Sequence, residues 1–364
     1  MKKYILPLLA SGMCLSASAG NDIINLLVGT YTNTGSKGIY SLSFDQTSGE
    51  SMLLDTAETE NPSFLTLSPD KRMLYAVNES GKPTDSVTAF AFDKENGKLK
   101  RINSEAVNGA APCYVSTNGK YVLTANYTSG SITVLPTDSN GKLLPAVQTE
   151  KFALTGEAPD KARQNSAHLH CVKLAPDSTF FVSADLGNDC LYVYTFTNDR
   201  KKPIQRVNTI QLPAGSGPRH ITFTNDGRYA YLLTELSGKI FVFEVSGKNL
   251  KNVQTIECDK VGARGSADIH LSPDGNFLYA SNRLRNEGIA IYKVNRENGT
   301  LTPVAYRNTA AHPRNFAISP NGEFLLCACR DTNVIQVYRI NNNGTLSIKG
   351  TIDIPAPVCV LFDE

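Results

Sequence analysis

The sequence contains no tryptophan, no Cys-x-x-Cys pair and no excess of charge of either sign. Its 36 basic and 34 acidic side chains leave a formal net charge of +2, which argues against a nucleic-acid partner or an anionic membrane surface. Without a Cys-x-x-Cys pair, a zinc site built on cysteine is not expected. Beyond Leu15 no run approaches the ~20 apolar residues of a transmembrane helix, so no membrane span is predicted.

The N-terminal segment has the pattern of a secretory signal peptide. Residues 1–3 carry positive charge, Tyr4 to Leu15 is mostly apolar, and residues 17–19 supply the small side chains of a signal-peptidase site. We therefore expect cleavage after Ala19 and an exported protein, periplasmic or at the cell surface. A lipoprotein anchored at Cys14 is disfavoured, because bulky Met13 stands where a small residue is required.

The seven remaining cysteines do not resemble a disulfide scaffold. Most lie inside apolar runs such as Leu325–Cys329, which predicts buried free thiols that behave as small hydrophobic residues. An odd number leaves at least one thiol unpaired, although a single pair could bridge in an oxidising compartment.

One phrase recurs along the chain: an apolar strand, a turn containing Pro, Asp or Asn and Gly, and a second apolar strand. The clearest copies are Leu271–Ala280 and Ile318–Leu326. The steps between successive turns are 48, 59, 49, 48 and 47 residues, and the longest step holds an additional loop, roughly Thr149 to Ser166. The turn residues that mark the copies are Asp70, Asn118, Asp177, Asp226, Asp274 and Asn321.

The length of the repeat and the strands within each copy predict an all-β, seven-bladed β-propeller. A third apolar strand, and usually an Asn-Gly hairpin turn with a fourth strand, follow each copy, and no long run has helical periodicity. Four strands in about 48 residues make one propeller blade. A seventh blade is expected to combine Pro355–Phe362 with three N-terminal strands, Leu26–Tyr31, Gly38–Phe44 and Ser51–Thr56, and so to close the ring.

Length alone would allow two or three domains at ~100–200 residues each. The regular period instead predicts one propeller domain over residues 20–364, since separate β-sandwich domains would not share a single repeat across the chain. A propeller needs no partner chain to close, so a monomer is the simplest expectation.

Polar residues recur where the register predicts one mouth of the central channel. The start of each first strand and the turn after each second strand lie at the same rim, so side chains there should converge. Arg219, Arg283 and Arg314 exceed what ion pairs between blades require, and they predict an anionic ligand, although these charges could also only neutralise one another. The other polar candidates at these positions are Asn126, His170, His220, Glu235, Asp268 and Asn282, with His270 deeper in the channel.

Several short motifs resemble those of the seven-bladed propeller lactonase family. They are Val28–Tyr31, Gly217–His220, Asp268–His270 and His312–Phe316, and the resemblance spans Leu26 to Phe362. This family includes propeller-type 6-phosphogluconolactonases and the fungal carboxy-muconate lactonising enzymes. The resemblance implies a lactone site in the channel mouth, with the catalytic positions of the muconate enzymes at His170, Arg219, Glu235 and Arg283 of this sequence.

Lactone hydrolysis requires a base that activates water and a positive group that stabilises the oxyanion. His170 or Glu235 could be the base, while Arg219 and Arg283 would hold the oxyanion or the anionic tail of the substrate. Substrate contacts are expected from the remaining candidates, namely His220, Asp268, His270, Arg314, Asn126 and Asn282. Asp268 would orient His220 or His270.

Other functions fit some of the same residues. No cofactor motif is present and no resident metal is predicted, although His168-x-His170 with Asp268-x-His270 could form a metal site if strand alternation points each pair one way. The leading hypothesis is a 6-phosphogluconolactonase-like lactonase that acts on a sugar-type lactone, yet export points to a substrate outside the cytoplasm. The alternative is a non-catalytic exported propeller that binds an anionic small molecule, a glycan or a protein on this rim.

Overall fold

The computed structural model describes residues 22–363. Over this range the chain forms seven antiparallel sheets of four strands each, one per blade. The predicted signal peptide falls outside the described residues. Within residues 22–363, no helix has the length and apolar character needed to cross a membrane.

The first three blades, each given from its N-terminal strand onward, are defined by the following strands. Blade 1 contains β1 (Ile23–Thr30), β2 (Gly38–Asp45), β3 (Ser51–Glu58) and the last strand of the chain, β28 (Pro357–Phe362). Blade 2 contains β4 (Leu65–Leu67), β5 (Met73–Asn78), β6 (Ser86–Asp93) and β7 (Lys98–Ala106). Blade 3 contains β8 (Pro112–Thr117), β9 (Tyr121–Asn126), β10 (Ser131–Pro136) and β11 (Gln148–Lys151).

The other four blades follow the same order along the chain. Blade 4 contains β12 (Leu169–Leu174), β13 (Phe180–Asp185), β14 (Cys190–Phe196) and β15 (Ile204–Gln211). Blade 5 contains β16 (Pro218–Phe223), β17 (Tyr229–Thr234), β18 (Lys239–Ser246) and β19 (Asn249–Glu257). Blade 6 contains β20 (Ser266–Leu271), β21 (Phe277–Asn282), β22 (Gly288–Val294) and β23 (Leu301–Asn308). Blade 7 contains β24 (Pro313–Ile318), β25 (Phe324–Cys329), a 3-10 turn (Arg330–Thr332), β26 (Val334–Ile340) and β27 (Leu346–Asp353).

The core lies between neighbouring blades. Each second strand is covered on both faces, so β5, β9, β13, β17 and β25 are buried along their whole length and read as apolar runs. The outer strands face water, and in β19 most side chains are exposed. All seven described cysteines are buried free thiols, as the sequence predicts.

The ring closes in blade 1. β28 pairs antiparallel with β1, with Leu26 opposite Phe362 and Val28 opposite Val360. Each innermost strand also contacts that of the next blade, from β4 round to β28 and back. The predicted fold class, a seven-bladed β-propeller closed by strands from both ends of the chain, is therefore confirmed.

A β-bulge recurs at the start of the innermost strands. In blades 3, 4, 5 and 7 the register slips by one residue, and the extra residues are Cys113, His170, Arg219 and Arg314 respectively. A bulge releases one residue from the alternation of the strand and re-aims its side chain. The same irregularity thus presents a thiol, an imidazole or a guanidinium group to the channel mouth, depending on the blade.

Gly29, near the end of β1, lies against the segment that leads into blade 2. A Cβ at this position would stand 2.2 Å from the backbone carbonyl oxygen of Pro62, which cannot rotate away. We expect Gly29→Ala to lower the free energy of unfolding by about 1–3 kcal/mol, the usual range for overpacking. Denaturant unfolding measures this, with Gly350→Ala as the control because its Cβ would meet nothing within 4 Å. Equal stability of the two variants would contradict the prediction.

Candidate active site

Glu235 is the centre of the polar cluster at the channel mouth. It follows β17, and its carboxylate pairs with Arg163 (Oε1 to Nη2, 2.7 Å), Arg219 (Oε2 to Nε, 3.0 Å) and Arg283 (Oε1 to Nη2, 3.3 Å). Burial alone would raise the pKa of Glu235, but the charges of these three arginines lower it to about 2. Glu235 is therefore an anion at neutral pH, and both of its oxygens are engaged.

Arg219 and Arg283 are held rigidly by further contacts. Arg219 Nη1 donates to the carbonyl oxygen of Ala267 and lies 3.3 Å from His220 Nε2. Arg283 Nε donates to the carbonyl oxygen of Gly265 at 2.9 Å. Burial lowers the pKa of Arg283 to about 9, although Glu235 opposes the shift. Two buried guanidinium groups thus share one carboxylate, which leaves positive charge available to a ligand.

His170 stands beside this cluster as a neutral imidazole. Its Nε2 lies 3.9 Å from Glu235 Oε2, beyond direct hydrogen-bond distance, and its Nδ1 lies 3.7 Å from Cys113 Sγ. Burial, together with the positive charge of Arg219, holds the pKa of His170 well below its usual range. The ring is consequently unprotonated at neutral pH, as a general base must be.

Arg314 extends into the same mouth from blade 7. Its guanidinium carbon lies 5.5 Å from the ring centroid of Tyr31, whose hydroxyl donates to Glu79 Oε2 at 2.9 Å. Within residues 22–363 no carboxylate oxygen lies within 4.0 Å of the Arg314 side-chain nitrogens. Its charge is thus not neutralised by direct pairing with the protein.

A closed layer lies directly beneath the mouth. Asp268 accepts from His220 Nδ1 at 2.7 Å, from His270 Nε2 at 2.9 Å and from Asn315 Nδ2 at 2.5 Å. Burial would raise the pKa of Asp268, but these histidines keep it well below its usual range. Burial lowers the pKa of His220 to about 4, so that ring is neutral and donates from Nδ1. Asp268 orients both rings and has little capacity left for a substrate.

The structure does not bring Asn126 and Asn282 to the cluster. Asn126 Nδ2 lies 3.0 Å from the hydroxyls of Ser131 and Thr133, within its own blade. Asn282 Oδ1 accepts from Ser266 Oγ at 2.6 Å in the same manner. Each is the last residue of a second strand, where the side chain still faces the blade interior. The structure therefore places these two side chains inside their own blades, apart from the residues around Glu235.

The alternative metal site lacks its geometry. The bulge at His170 breaks the alternation with His168, whose ring instead stacks on Tyr127 at 4.4 Å and contacts the Tyr127 carbonyl oxygen at 3.0 Å through Nδ1. His270 lies below the closed layer, away from both. Across the part of the chain that the structure describes, no three His, Cys, Asp or Glu side chains are grouped so as to hold a metal ion.

Two residues of the mouth are missed by counting from the repeated turns. Arg163 belongs to the long connection between β11 and β12, the additional loop that lies outside the period. Cys113 is missed because the turn at Asn118-Gly119 is two residues shorter than the corresponding turns of the other blades. In the sequence, the only indication of Arg163 is the insertion that contains it. The only indication of Cys113 is the Pro112-Cys113 pair, which matches Pro218-Arg219.

The fold and the site together define a seven-bladed propeller with an arginine-rich small-molecule site at one channel mouth. Residues 25–362 match the family model described as lactonase, 7-bladed beta-propeller. The chain belongs to this family.

Relatives and solved structures agree with this family over nearly the whole chain. A Formosa agariphila protein named 6-phosphogluconolactonase is 37% identical over 325 residues, covering 86% of this chain and 92% of its own. A crystal structure from Bacteroides fragilis, provisionally assigned as a 6-phosphogluconolactonase, has a TM-score of 0.91 at 46% identity and covers 95% of this chain and 99% of its own. A periplasmic gluconolactonase of Pseudomonas aeruginosa has a TM-score of 0.88 at 34% identity, with coverages of 93% and 99%. The predicted family and the predicted enzyme class, a lactone-hydrolysing carboxylic ester hydrolase, are confirmed.

Proposed function

We propose that the protein hydrolyses a sugar-type lactone that carries an anionic group, with 6-phosphogluconolactone as the reference compound. One observation carries this proposal. The same mouth contains His170 as a neutral imidazole and Arg314 without a direct carboxylate partner. The positive groups outnumber the carboxylates, so an anionic substrate would restore the charge balance. The guanidinium groups are those of Arg163, Arg219, Arg283 and Arg314, and the carboxylates are those of Glu235 and Glu79. The name of the Formosa agariphila relative supports the same substrate class.

In the proposed mechanism His170 is the general base. It takes a proton from water as the water oxygen attacks the lactone carbonyl carbon, and the tetrahedral oxyanion is stabilised by Arg219 and Arg283. When the ring C–O bond breaks, the imidazolium returns that proton to the leaving alkoxide oxygen, which becomes a hydroxyl group. The net reaction consumes one water. Glu235 is not assigned as the base, because a carboxylate with a pKa of about 2 accepts protons poorly at neutral pH.

The proposal includes export of a single propeller domain that begins at residue 20. The leader pattern of residues 1–19 supports it, and the periplasmic gluconolactonase of Pseudomonas aeruginosa shows that export occurs in a similar protein. The substrate would then be a lactone outside the cytoplasm, which need not be phosphorylated. Cell fractionation of the full-length chain tests this, and a wholly cytoplasmic, uncleaved product would contradict it.

The activity itself is tested by pH-stat hydrolysis with the purified protein. The panel should contain 6-phosphogluconolactone, neutral gluconolactone and a carboxylated lactone, each corrected for spontaneous opening. We expect turnover with a higher kcat/KM for the anionic compounds. Absence of turnover on the whole panel would overturn the proposal and favour the non-catalytic binding protein.

Arg314 is proposed to anchor the anionic group of the substrate. We expect Arg314→Gln to raise KM for an anionic lactone by about 10–100-fold, the loss of a charge-assisted contact, with kcat little changed. The KM for neutral gluconolactone should stay the same. Arg339→Gln is the matched control, because Arg339 forms an exposed ion pair with Glu323 on the surface. An equal change of KM for both lactones would remove Arg314 from this role.

A further inference from the structure

The opposite end of the channel contains a separate cavity of about 530 Å³. It lies between the inner strands of blades 4 to 7 and β28, and its polar lining includes Lys173, Thr222 and His270. Asp268 and Tyr114, further along the channel towards the mouth, are buried, with 2% and 8% of their surface exposed. We call this cavity the lower-channel pocket; its lining includes none of the residues that surround Glu235.

The lower-channel pocket has positive charge and no acidic lining. No Asp or Glu side chain lines it, and Lys173 is the one Lys or Arg side chain among its described lining residues. Within residues 22–363 no carboxylate lies within 4.0 Å of Lys173 Nζ, and neither this amine nor the Thr222 hydroxyl has a hydrogen-bond partner. Burial lowers the pKa of Lys173, and the charge of Asp268, which acts from beyond 4.0 Å, opposes this shift only in part.

His270 supplies a third polar group to the same space. Its Nε2 is occupied by Asp268 at 2.9 Å, and its side chain is still 37% exposed, in contrast to the 3% of Asp268. The edge of the ring is fixed against Phe316, with centroids 4.9 Å apart. Among the described residues Nδ1 has no hydrogen-bond partner, so this edge of the ring is available to a ligand. The titratable groups that face it are Asp268, Lys173 and, across Asp268, His220.

We propose that the lower-channel pocket is a second anion site, which holds a small oxyanion such as inorganic phosphate between Lys173 Nζ, the Thr222 hydroxyl and the His270 ring. The three groups come from adjacent inner strands, β12, β16 and β20, and each residue pairs with the third residue of the second strand in its blade. An oxyanion there gives the ammonium group a direct ion-pair partner, which the described residues do not provide within 4.0 Å. This binding does not depend on lactone hydrolysis in the other mouth.

Imidazole NMR provides a direct test, because the chain has five histidines and His270 alone lines this pocket. The full exported domain is titrated with inorganic phosphate, with chloride at matched ionic strength as the reference. We expect the His270 resonances to shift saturably, and Lys173→Met to weaken the phosphate affinity about tenfold or more through loss of one charge-assisted contact. Thr222→Val, a smaller change, should weaken it to a lesser degree.

Two controls keep the outcome specific to this pocket. Lys100→Met removes a lysine from the exposed strand β7 and should leave the titration unchanged. Arg314→Gln alters the upper mouth and should also leave the His270 shift intact, whatever the lactonase assays show. A His270 resonance that does not respond to phosphate, or that responds equally in Lys173→Met, overturns the proposal.

Discussion

Glu235→Gln is expected to lower the free energy of unfolding by about 3–5 kcal/mol and to remove most lactonase activity. The carboxamide has nearly the same shape as the carboxylate, so the packing is kept while the charge is lost. Arg163, Arg219 and Arg283 are then left without their shared counter-ion, and two of them are buried. Urea unfolding of the purified variants measures the stability, and pH-stat assays measure the activity.

The pH dependence distinguishes this charge effect from a packing defect. The pKa of Glu235 falls from 4.5 to about 2 on folding, so its ionised form stabilises the protein above about pH 4.5. That contribution is lost as the pH falls from about 4.5 towards 2, and the stability gap between wild type and Glu235→Gln should narrow over this window. Glu323→Gln, in an exposed pair, should change stability by less than ~0.5 kcal/mol. A gap independent of pH would contradict the charge assignment.

His170→Ala is expected to lower kcat by about 10²–10⁴-fold, the usual contribution of a general base, with little change in KM. The reason is that Arg219, Arg283 and Arg314, which would hold the substrate, remain in place. Steady-state kinetics on an anionic lactone measure the effect, and circular dichroism shows whether the propeller is retained. His168→Gln should keep most of the activity, since His168 stacks on Tyr127 outside the Glu235 cluster.

The wild-type pH profile gives an independent check on His170. A base works only when it is neutral, so kcat/KM should fall as the pH drops through the folded-state pKa of His170. Because that pKa lies well below 6.5, we expect a flat profile between about pH 6.5 and 8 after correction for spontaneous hydrolysis. An acid limb centred near 6.5, or full activity in His170→Ala, would assign the base to another group.

The architecture could be predicted because each blade repeats its turn chemistry. Turns such as those at Asp274 and Asn321 recur at a nearly constant step, and four strands fill each step. The position of Glu235 after β17 follows from the same count. The sequence therefore predicts which rim each polar side chain reaches, wherever the blade keeps the standard length.

The finer arrangement of the site depends on local features, namely bulges, an insertion and strand geometry, that the length of the repeat does not determine. The bulges at His170 and Arg219 re-aim side chains that simple alternation would place elsewhere. Arg163 reaches Glu235 from an insertion whose path is set by tertiary contacts, such as that of Gln164 Nε2 with the Leu186 carbonyl oxygen. Asn126 sits one residue too early to leave the blade interior, a distinction that depends on local strand geometry.

Because β1 pairs with β28, blade 1 can complete its folding only after the last strand of the chain has been synthesised. β1 is the first strand to emerge from the ribosome, yet its inner edge has no partner strand until the residues up to Phe362 have emerged. Throughout synthesis the nascent chain therefore carries an open strand edge, a site where chains can pair wrongly.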